Sequence, residues 1–382
     1  MQKLFKQTLE IIKGGKMMDL SCKFDGIKIE NPLMPAAGPL VGDAEKMLWL
    51  EQVAGLGAIV SKTISTKDAH IPHPCIYGDK DYIMNCELWT EYTKEKWIEE
   101  FLPYYKKHSV GKPLIISVGY TKEDMQVLIP LLDKFADAFE VSTHYVGNDL
   151  NALGETVRTI RSLTKKPFYM KISAHMPDPE GFAHTIKVNG ANGVVAVNSL
   201  GPSMKIDIAN RDIIYGNAKG FAWTSGPYIK NIALATVYTI KNAEPSLTVI
   251  GVGGIASASD VIEFLLAGAS AVQMLSAAML RGKDLYKKIL DDLPGALEKY
   301  GFKSVEEVVN TKLTNRVAYE KGDVPSLNKE KCIKCGTCSK VCPYFAIEMD
   351  EYPKFNSDKC FRCGLCVSKC PTKALTYIKA DK

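Results

Sequence analysis

Cys332-Ile-Lys-Cys335-Gly-Thr-Cys338-Ser-Lys-Val-Cys342-Pro343 is followed by Cys360-Phe-Arg-Cys363-Gly-Leu-Cys366-Val-Ser-Lys-Cys370-Pro371. The two runs share one spacing, C-x2-C-x2-C-x3-C-P, and hold eight of the chain's eleven cysteines. Three thiolates so spaced converge on one iron–sulfur cubane, and the fourth cysteine of each run crosses to the other cluster. The spacing therefore assigns Cys332, Cys335, Cys338 and Cys370 to one [4Fe–4S] cluster, and Cys360, Cys363, Cys366 and Cys342 to a second. A pair of zinc sites is the competing reading, but zinc does not require the x3-C-P tail twice. Two clusters pass single electrons, so the rest of the chain should hold a group that accepts them.

Outward from the cysteines, residues 329–382 form a small ferredoxin-like domain whose halves, 329–350 and 357–378, are an internal repeat. A polar linker is expected over 296–328. From 19 to 295, short apolar runs alternate with amphipathic ones. The apolar runs span 57–64, 113–118, 137–143, 167–173, 193–199, 247–252 and 269–275. Near-continuous apolar character predicts strands buried on both faces, as in a parallel sheet. Helical patterns separate most of them, such as 257–267, which stops at Gly268. Repeated β–α units over this length fit an α/β fold of the (β/α)8 TIM-barrel class better than a doubly wound sheet. No G-x-G-x-x-G joins a strand to a helix, so no dinucleotide-binding unit is expected.

At 382 residues the chain can hold one large and one small domain. A net charge of +5, with no basic run, gives no sign of a nucleic-acid partner. No apolar stretch is long enough for a membrane span. Residues 1–18 lack the apolar core and cleavage site of a signal peptide and read as an extension. Thiols that must stay reduced to hold clusters predict a cytoplasmic location.

In a TIM barrel, functional groups sit where strands end. The runs end in Lys62-Thr63, Ser142 to Tyr145, Lys171, Asn198-Ser199, Gly251-Val-Gly-Gly254 and Leu275-Ser276. Two strands ending in lysine are unusual, because a buried ammonium needs a partner. A ring that becomes anionic on reduction would be one. Gly253, Gly254, Leu275 and Ser276 fit a phosphate cradle after the last two strands. A phosphorylated flavin converts single electrons into pairs, so FMN is the expected cofactor.

Residues 19–380 resemble the class 1 dihydroorotate dehydrogenases, and most of all the C-terminal half of dihydropyrimidine dehydrogenase and its separate bacterial catalytic subunit. The resemblance rests on Asn31-Pro-Leu-Met-Pro-Ala-Ala-Gly38, Ser61-Lys-Thr63, Asn85-Cys-Glu-Leu88, Lys171, Val197-Asn-Ser199, Ser225-Gly226, Ile229-Lys230 and Gly251-Val-Gly-Gly-Ile255. The order of barrel, then two-cluster domain, also matches. The resemblance implies FMN in the barrel mouth, with Lys62 and Lys171 beside the flavin ring. It implies cofactor contacts from Ala37, Gly38, Thr63, Asn198, Ser225, Gly226, Gly253, Gly254, Leu275 and Ser276. Asn85, Glu87, Asn198 and Ser199 fall on positions that line the substrate site. A homodimer is implied too, together with an electron donor that is a flavoprotein subunit or a ferredoxin.

The departure lies in the active-site loop. The family reads Asn-x-Ser-Cys-Pro there, and its cysteine moves a proton. Here the stretch is Ser142-Thr143-His144-Tyr145-Val146, and Trp89 stands where the pyrimidine enzyme keeps an aliphatic residue. A phenol of pKa about 10 gives a proton near neutral pH but rarely takes one. Tyr145 is therefore the expected catalytic proton donor, with His144 as its competitor. With Trp89, Ser142 and Tyr145 in the site, the expectation is reduction of a C=C bond beside a carbonyl in a cyclic enone. Reduction of uracil or thymine, or oxidation of dihydroorotate, is the alternative. An electron-transfer subunit with an idle barrel is a second.

Overall fold

The computed structural model describes residues 18–143, 149–314 and 322–377. Contacts divide the chain into two compact units, 1–313 and 314–382.

Eight parallel strands build the first unit: β1 (Leu33–Pro35), β2 (Ile59–Val60), β3 (Leu114–Val118), β4 (Ala138–Ser142), β5 (Phe168–Ile172), β6 (Gly193–Ala196), β7 (Thr248–Val252) and β8 (Ala271–Met274). They are ordered β1-β8-β7-β6-β5-β4-β3-β2. The Gly57 N–H donates to the Leu33 carbonyl at 3.0 Å, so the two ends of this sheet meet. A Cβ on Gly57 would stand 2.0 Å from the Asn31 carbonyl oxygen, so only glycine allows that approach. The expected TIM barrel is thus observed. β1 is the strand that the apolar runs did not reveal, being three residues long and ending in proline.

Every residue of β3, β4, β5 and β7 is buried. Inward-facing side chains such as Val60, Ile115, Tyr169, Val195 and Ile250 form one apolar cluster. A larger cluster joins strands to helices, which is the two-layer burial that a barrel requires. Helices start on side-chain caps: Thr121 and Asp124 make a reciprocal capping box at α1 (Lys122–Leu132), and Ser257 caps α2 (Ala258–Leu266).

A four-stranded antiparallel sheet adds to the barrel, ordered Leu200–Ser203, Ala222–Ser225, Ile83–Asn85 and Ile76–Gly78. Its register places Asn85 opposite Trp223.

The expected linker begins differently. α3 (Leu285–Lys299) runs past residue 296, and α4 (Val305–Asn310) follows. Leu297, Val305 and Val308 are fully buried in the barrel unit's core. Their apolar spacing was masked by the charged residues between them.

The second unit has two antiparallel strand pairs, Ser326–Leu327 with Leu375–Thr376, and Ile347–Met349 with Pro353–Phe355. Four-residue helices at Thr337–Lys340 and Leu365–Ser368 each follow a left-handed glycine, Gly336 or Gly364. Among the described residues its apolar cluster holds Ile347, Cys366 and Leu375 with a few partly buried neighbours. A core so small needs a staple, which metal clusters supply.

Candidate active site

The barrel's strand ends converge on two adjoining cavities with volumes of about 120 and 130 Å³. Both are lined by Ala37, Asn85, Lys171, Asn198, Ser199 and Leu275. Ser225, Gly226, Gly253, Gly254 and Ser276 line the first. Gly38, Thr63, Glu87 and Ser142 line the second. Most residues singled out in the sequence are therefore brought together here.

The first cavity has a floor of backbone. Gly253 and Gly254, just past β7, have φ of 114° and 95°. A Cβ on Gly254 would meet Lys230 at 2.6 Å. Lys230 is pinned by Asp260 at 2.7 Å and Glu263 at 2.6 Å, so it has little room to yield. Ser225 and Ser276 share a hydroxyl hydrogen bond of 2.8 Å on the same wall. Small residues and hydroxyls leave room and donors for a phosphate, so this wall fits the phosphate end of FMN.

At the other end of this cavity three polar side chains join inside the barrel. Lys171 Nζ donates to Glu140 Oε1 at 2.9 Å, and Gln273 Nε2 donates to Glu140 Oε2 at 2.7 Å. Glu140 and Gln273 have no solvent exposure. Lys171 and Gln273 both line the first cavity. Gln273 Oε1 has no hydrogen-bond partner among the described residues. A buried acceptor left open beside a cavity calls for a donor from a ligand, and the ring N–H of a flavin is of that kind. Glu140 and Gln273 were not singled out in the sequence. The signal was present: each interrupts an apolar strand, as Lys171 does.

Lys62 departs from expectation. It lines neither cavity. Its side chain is 2% exposed, and its ammonium bonds Glu87 at 2.6 Å and Glu91 at 3.0 Å. Burial raises the Glu91 carboxyl, but its backbone hydrogen bond and Lys62 outweigh this and hold it below the ordinary range. Glu87 lines the second cavity while also accepting from Lys62, and its backbone N–H donates to Asn85 Oδ1. Lys62 thus meets the cavity wall through Glu87.

Trp89 is also corrected. It does not line either cavity. Its indole N–H donates to the Lys67 carbonyl at 2.6 Å, and its ring meets Tyr120 edge-on at 5.3 Å. Tyr120 and Trp223 supply aromatic rings to the second cavity instead. The Thr63 hydroxyl is engaged with Ser117 at 2.9 Å, and Asn198 Oδ1 accepts from the Ser199 N–H at 2.9 Å. Ser142 is buried on the cavity wall. His144 and Tyr145 lie outside the described residues.

In the second unit, Cys332, Cys335, Cys338 and Cys370 line one cavity, so the fourth cysteine of the second run joins three of the first. Cys366 and Cys342 pack in the same small core as Cys338 and Cys370. An all-thiolate donor set fits iron–sulfur clusters.

Comparison with known proteins agrees with these features. Residues 19–297 match the family model "Dihydroorotate dehydrogenase", and residues 331–374 match "4Fe-4S dicluster domain". The second match removes the zinc reading. Among curated relatives, the dihydroorotate dehydrogenase B (NAD(+)) catalytic subunit of Pyrococcus abyssi is 31% identical over 300 residues, covering 75% of this chain and 97% of the relative. That of Pyrococcus horikoshii is 32% identical over 306 residues, 77% and 98%. That of Geotalea uraniireducens is 31% identical over 309 residues, 78% and 99%.

Proposed function

Because the chain belongs to the dihydroorotate dehydrogenase family and is an FMN- and iron–sulfur-dependent oxidoreductase, we propose that it interconverts a dihydropyrimidine and its 5,6-unsaturated pyrimidine. The dihydroorotate–orotate pair, carried in the relatives' names, is the first candidate. The observation that carries this reading is the polar wall around Asn85, Asn198 and Ser199 beside Lys171. A ureide ring alternates N–H and C=O groups, and primary amides both donate and accept. A large apolar enone has less support, because the relatives' names carry a pyrimidine pair.

FMN, when bound, supplies hydride exchange with the ring's C–C bond. The Gly253–Gly254 turn and the Ser225–Ser276 pair would hold its phosphate. Lys171, kept charged and in place by Glu140, favours negative charge at the cavity's inner end. Asn85 and Asn198 orient the substrate ring. Tyr145 carries the proton at the carbon next to the hydride site, and His144 is its competitor. Cys332, Cys335, Cys338 and Cys370 would hold one [4Fe–4S] cluster and Cys360, Cys363, Cys366 and Cys342 a second, and the pair would supply one-electron exchange with a separate flavoprotein subunit or a ferredoxin. The relatives are, by name, catalytic subunits of an NAD(+)-linked enzyme, which favours such a division of labour. The chain works as a homodimer in the cytoplasm; among the described residues no helix is long and apolar enough to cross a membrane.

The test uses the full-length holoprotein under anaerobic conditions. Flavin absorbance is followed after dihydroorotate is added to oxidised protein, and after orotate, uracil or a cyclic enone is added to reduced protein. Exchange with a pyrimidine pair supports the reading. Reoxidation by the enone alone overturns it and restores ene reduction with Tyr145 as donor.

A further inference from the structure

The two cysteine runs match residue for residue, so their differences can be compared position by position. Thr337, before Cys338, corresponds to Leu365, before Cys366. Thr372, two residues after Cys370, corresponds to Tyr344, two residues after Cys342. The Thr337 hydroxyl lies 3.2 Å from Cys335 Sγ, and the Thr372 hydroxyl 3.8 Å from Cys370 Sγ. Cys335 and Cys370 line the same cavity, so both hydroxyls serve one ligand set. One backbone donor is common to both runs: the Ala374 N–H reaches Cys370 at 3.2 Å and the Ala346 N–H reaches Cys342 at 3.4 Å. In the other run Leu365 has no donor, and Tyr344 stacks on Phe361 at 4.9 Å.

We propose that the two clusters are unequal electron carriers, the one on Cys332, Cys335, Cys338 and Cys370 having the higher reduction potential because Thr337 and Thr372 hydrogen-bond its sulfur ligands. This rests on the dicluster reading above. A ligated thiolate has no proton, so each hydroxyl must donate. Reduction adds one electron and no proton to a cluster, and the added negative charge spreads onto the sulfurs. Donors to those sulfurs stabilise the reduced form more than the oxidised one. Burial acts in the same direction, since Cys366 of the other set is buried while its counterpart Cys338 is only half-buried.

One effect opposes this. Lys334 and Arg362 occupy equivalent positions, and Lys334 is neutralised by Glu351 at 2.7 Å. Arg362 donates instead to the carbonyls of Gly322, Ser357 and Cys360 and keeps its charge. The Arg362 guanidinium spends its N–H groups on carbonyls, whereas the threonines bond the ligand atoms themselves. An electron entering either cluster therefore settles at the Cys332 set, and the Cys360 set relays.

Iron and sulfide are measured first in the full-length protein. Contents below two [4Fe–4S] clusters overturn the dicluster reading and this proposal with it. With both present, an anaerobic dithionite titration followed by electron paramagnetic resonance should resolve two one-electron midpoints. The double variant Thr337→Val, Thr372→Val should shift the upper couple by about tenfold, ~59 mV downward, and leave the lower one in place. Leu365→Thr should raise the lower midpoint. An unmoved upper midpoint, or an equal movement of both, overturns the proposal. If the double variant loses iron, Leu365→Thr decides: a raised lower midpoint supports the gradient, and an unmoved one overturns it.

Discussion

Lys171 and Glu140 form a 2.9 Å ion pair inside the barrel, with Glu140 wholly enclosed and Lys171 opening onto both cavities. Strands β4 and β5 lie side by side and put the two residues within reach. A buried pair adds little net stability over apolar packing, but removing one partner leaves an uncompensated charge. Glu140→Gln should therefore cost about 3–5 kcal/mol of barrel stability. Glu140→Leu combined with Lys171→Met should cost less than either single change. Chemical denaturation of wild type, Glu140→Gln, the two single changes and the double variant checks this. Equal and additive losses would mean that the pair is not coupled.

Lys62 divides its charge between two acids of unequal exposure. Glu91 is 47% exposed and Glu87 only 11%. Exposed pairs contribute at most about 1 kcal/mol, so Glu91→Gln should change stability by less than that. Glu87→Gln should cost several times more and should also weaken substrate binding, because the Glu87 carboxylate accepts from the Asn85 amide at 3.5 Å on the cavity wall. The two variants are compared by thermal melting and by the substrate concentration needed for half-maximal flavin reoxidation. Equal effects would remove Glu87 from the wall.

Strands β3, β4, β5 and β7 were legible because burial on both faces leaves long apolar runs with no alternation. β1 was not legible as such: at three residues it is shorter than any useful window, and tertiary pairing makes it a strand, whereas β2 is only the two paired residues of the longer run 57–64. Lys171 stood out because a lysine ends an apolar strand. Glu140 and Gln273 carried the same mark, yet their meaning depends on which strands face each other across the barrel. Trp89 shows the limit of position in sequence. It is two residues from Glu87, but the chain after Asn85 leaves the sheet, and no periodicity tells which way the indole turns.

Tyr145 is expected to carry the proton, and this is separable from flavin binding. Tyr145→Phe should slow substrate-dependent flavin reoxidation by at least ~100-fold, the low end for general acid catalysis, while FMN content stays the same. Stopped-flow absorbance measures the rate. An unchanged rate would pass the role to His144.

The Gly253–Gly254 turn predicts loss of cofactor on a single methyl. Gly254→Ala places a Cβ at φ 95° and 2.6 Å from Lys230. Backbone strain alone costs about 1–3 kcal/mol, and the clash must move the turn away from the phosphate position. The purified variant should hold several-fold less FMN, read from its absorbance. Gly282→Ala is the control: φ is 96°, but nothing lies within 4 Å of the added Cβ. It should lose some stability and keep its flavin. Equal flavin content in both would separate the turn from cofactor binding.

Asp124 makes a prediction about pH. Burial raises its carboxyl, but hydrogen bonds from the Thr66 hydroxyl, the Thr121 and Tyr120 backbone N–H groups and the Thr121 hydroxyl outweigh this, so it lies below its ordinary value. The folded state therefore binds a proton less readily than the unfolded chain, whose Asp titrates near about 3.9. The stabilisation is complete above that value and is lost as pH falls through the lower, folded value. Asp124→Ala removes one side of the capping box of α1 and should cost about 0.5–2 kcal/mol at neutral pH. Acid strips iron from wild type and variant alike, so the difference between them is the quantity to read. Melting followed by circular dichroism should show that difference constant from pH 7 to about 5 and shrinking below about 4. A difference that persists undiminished at pH 3 would mean that the cost is lost packing rather than lost charge-assisted hydrogen bonds.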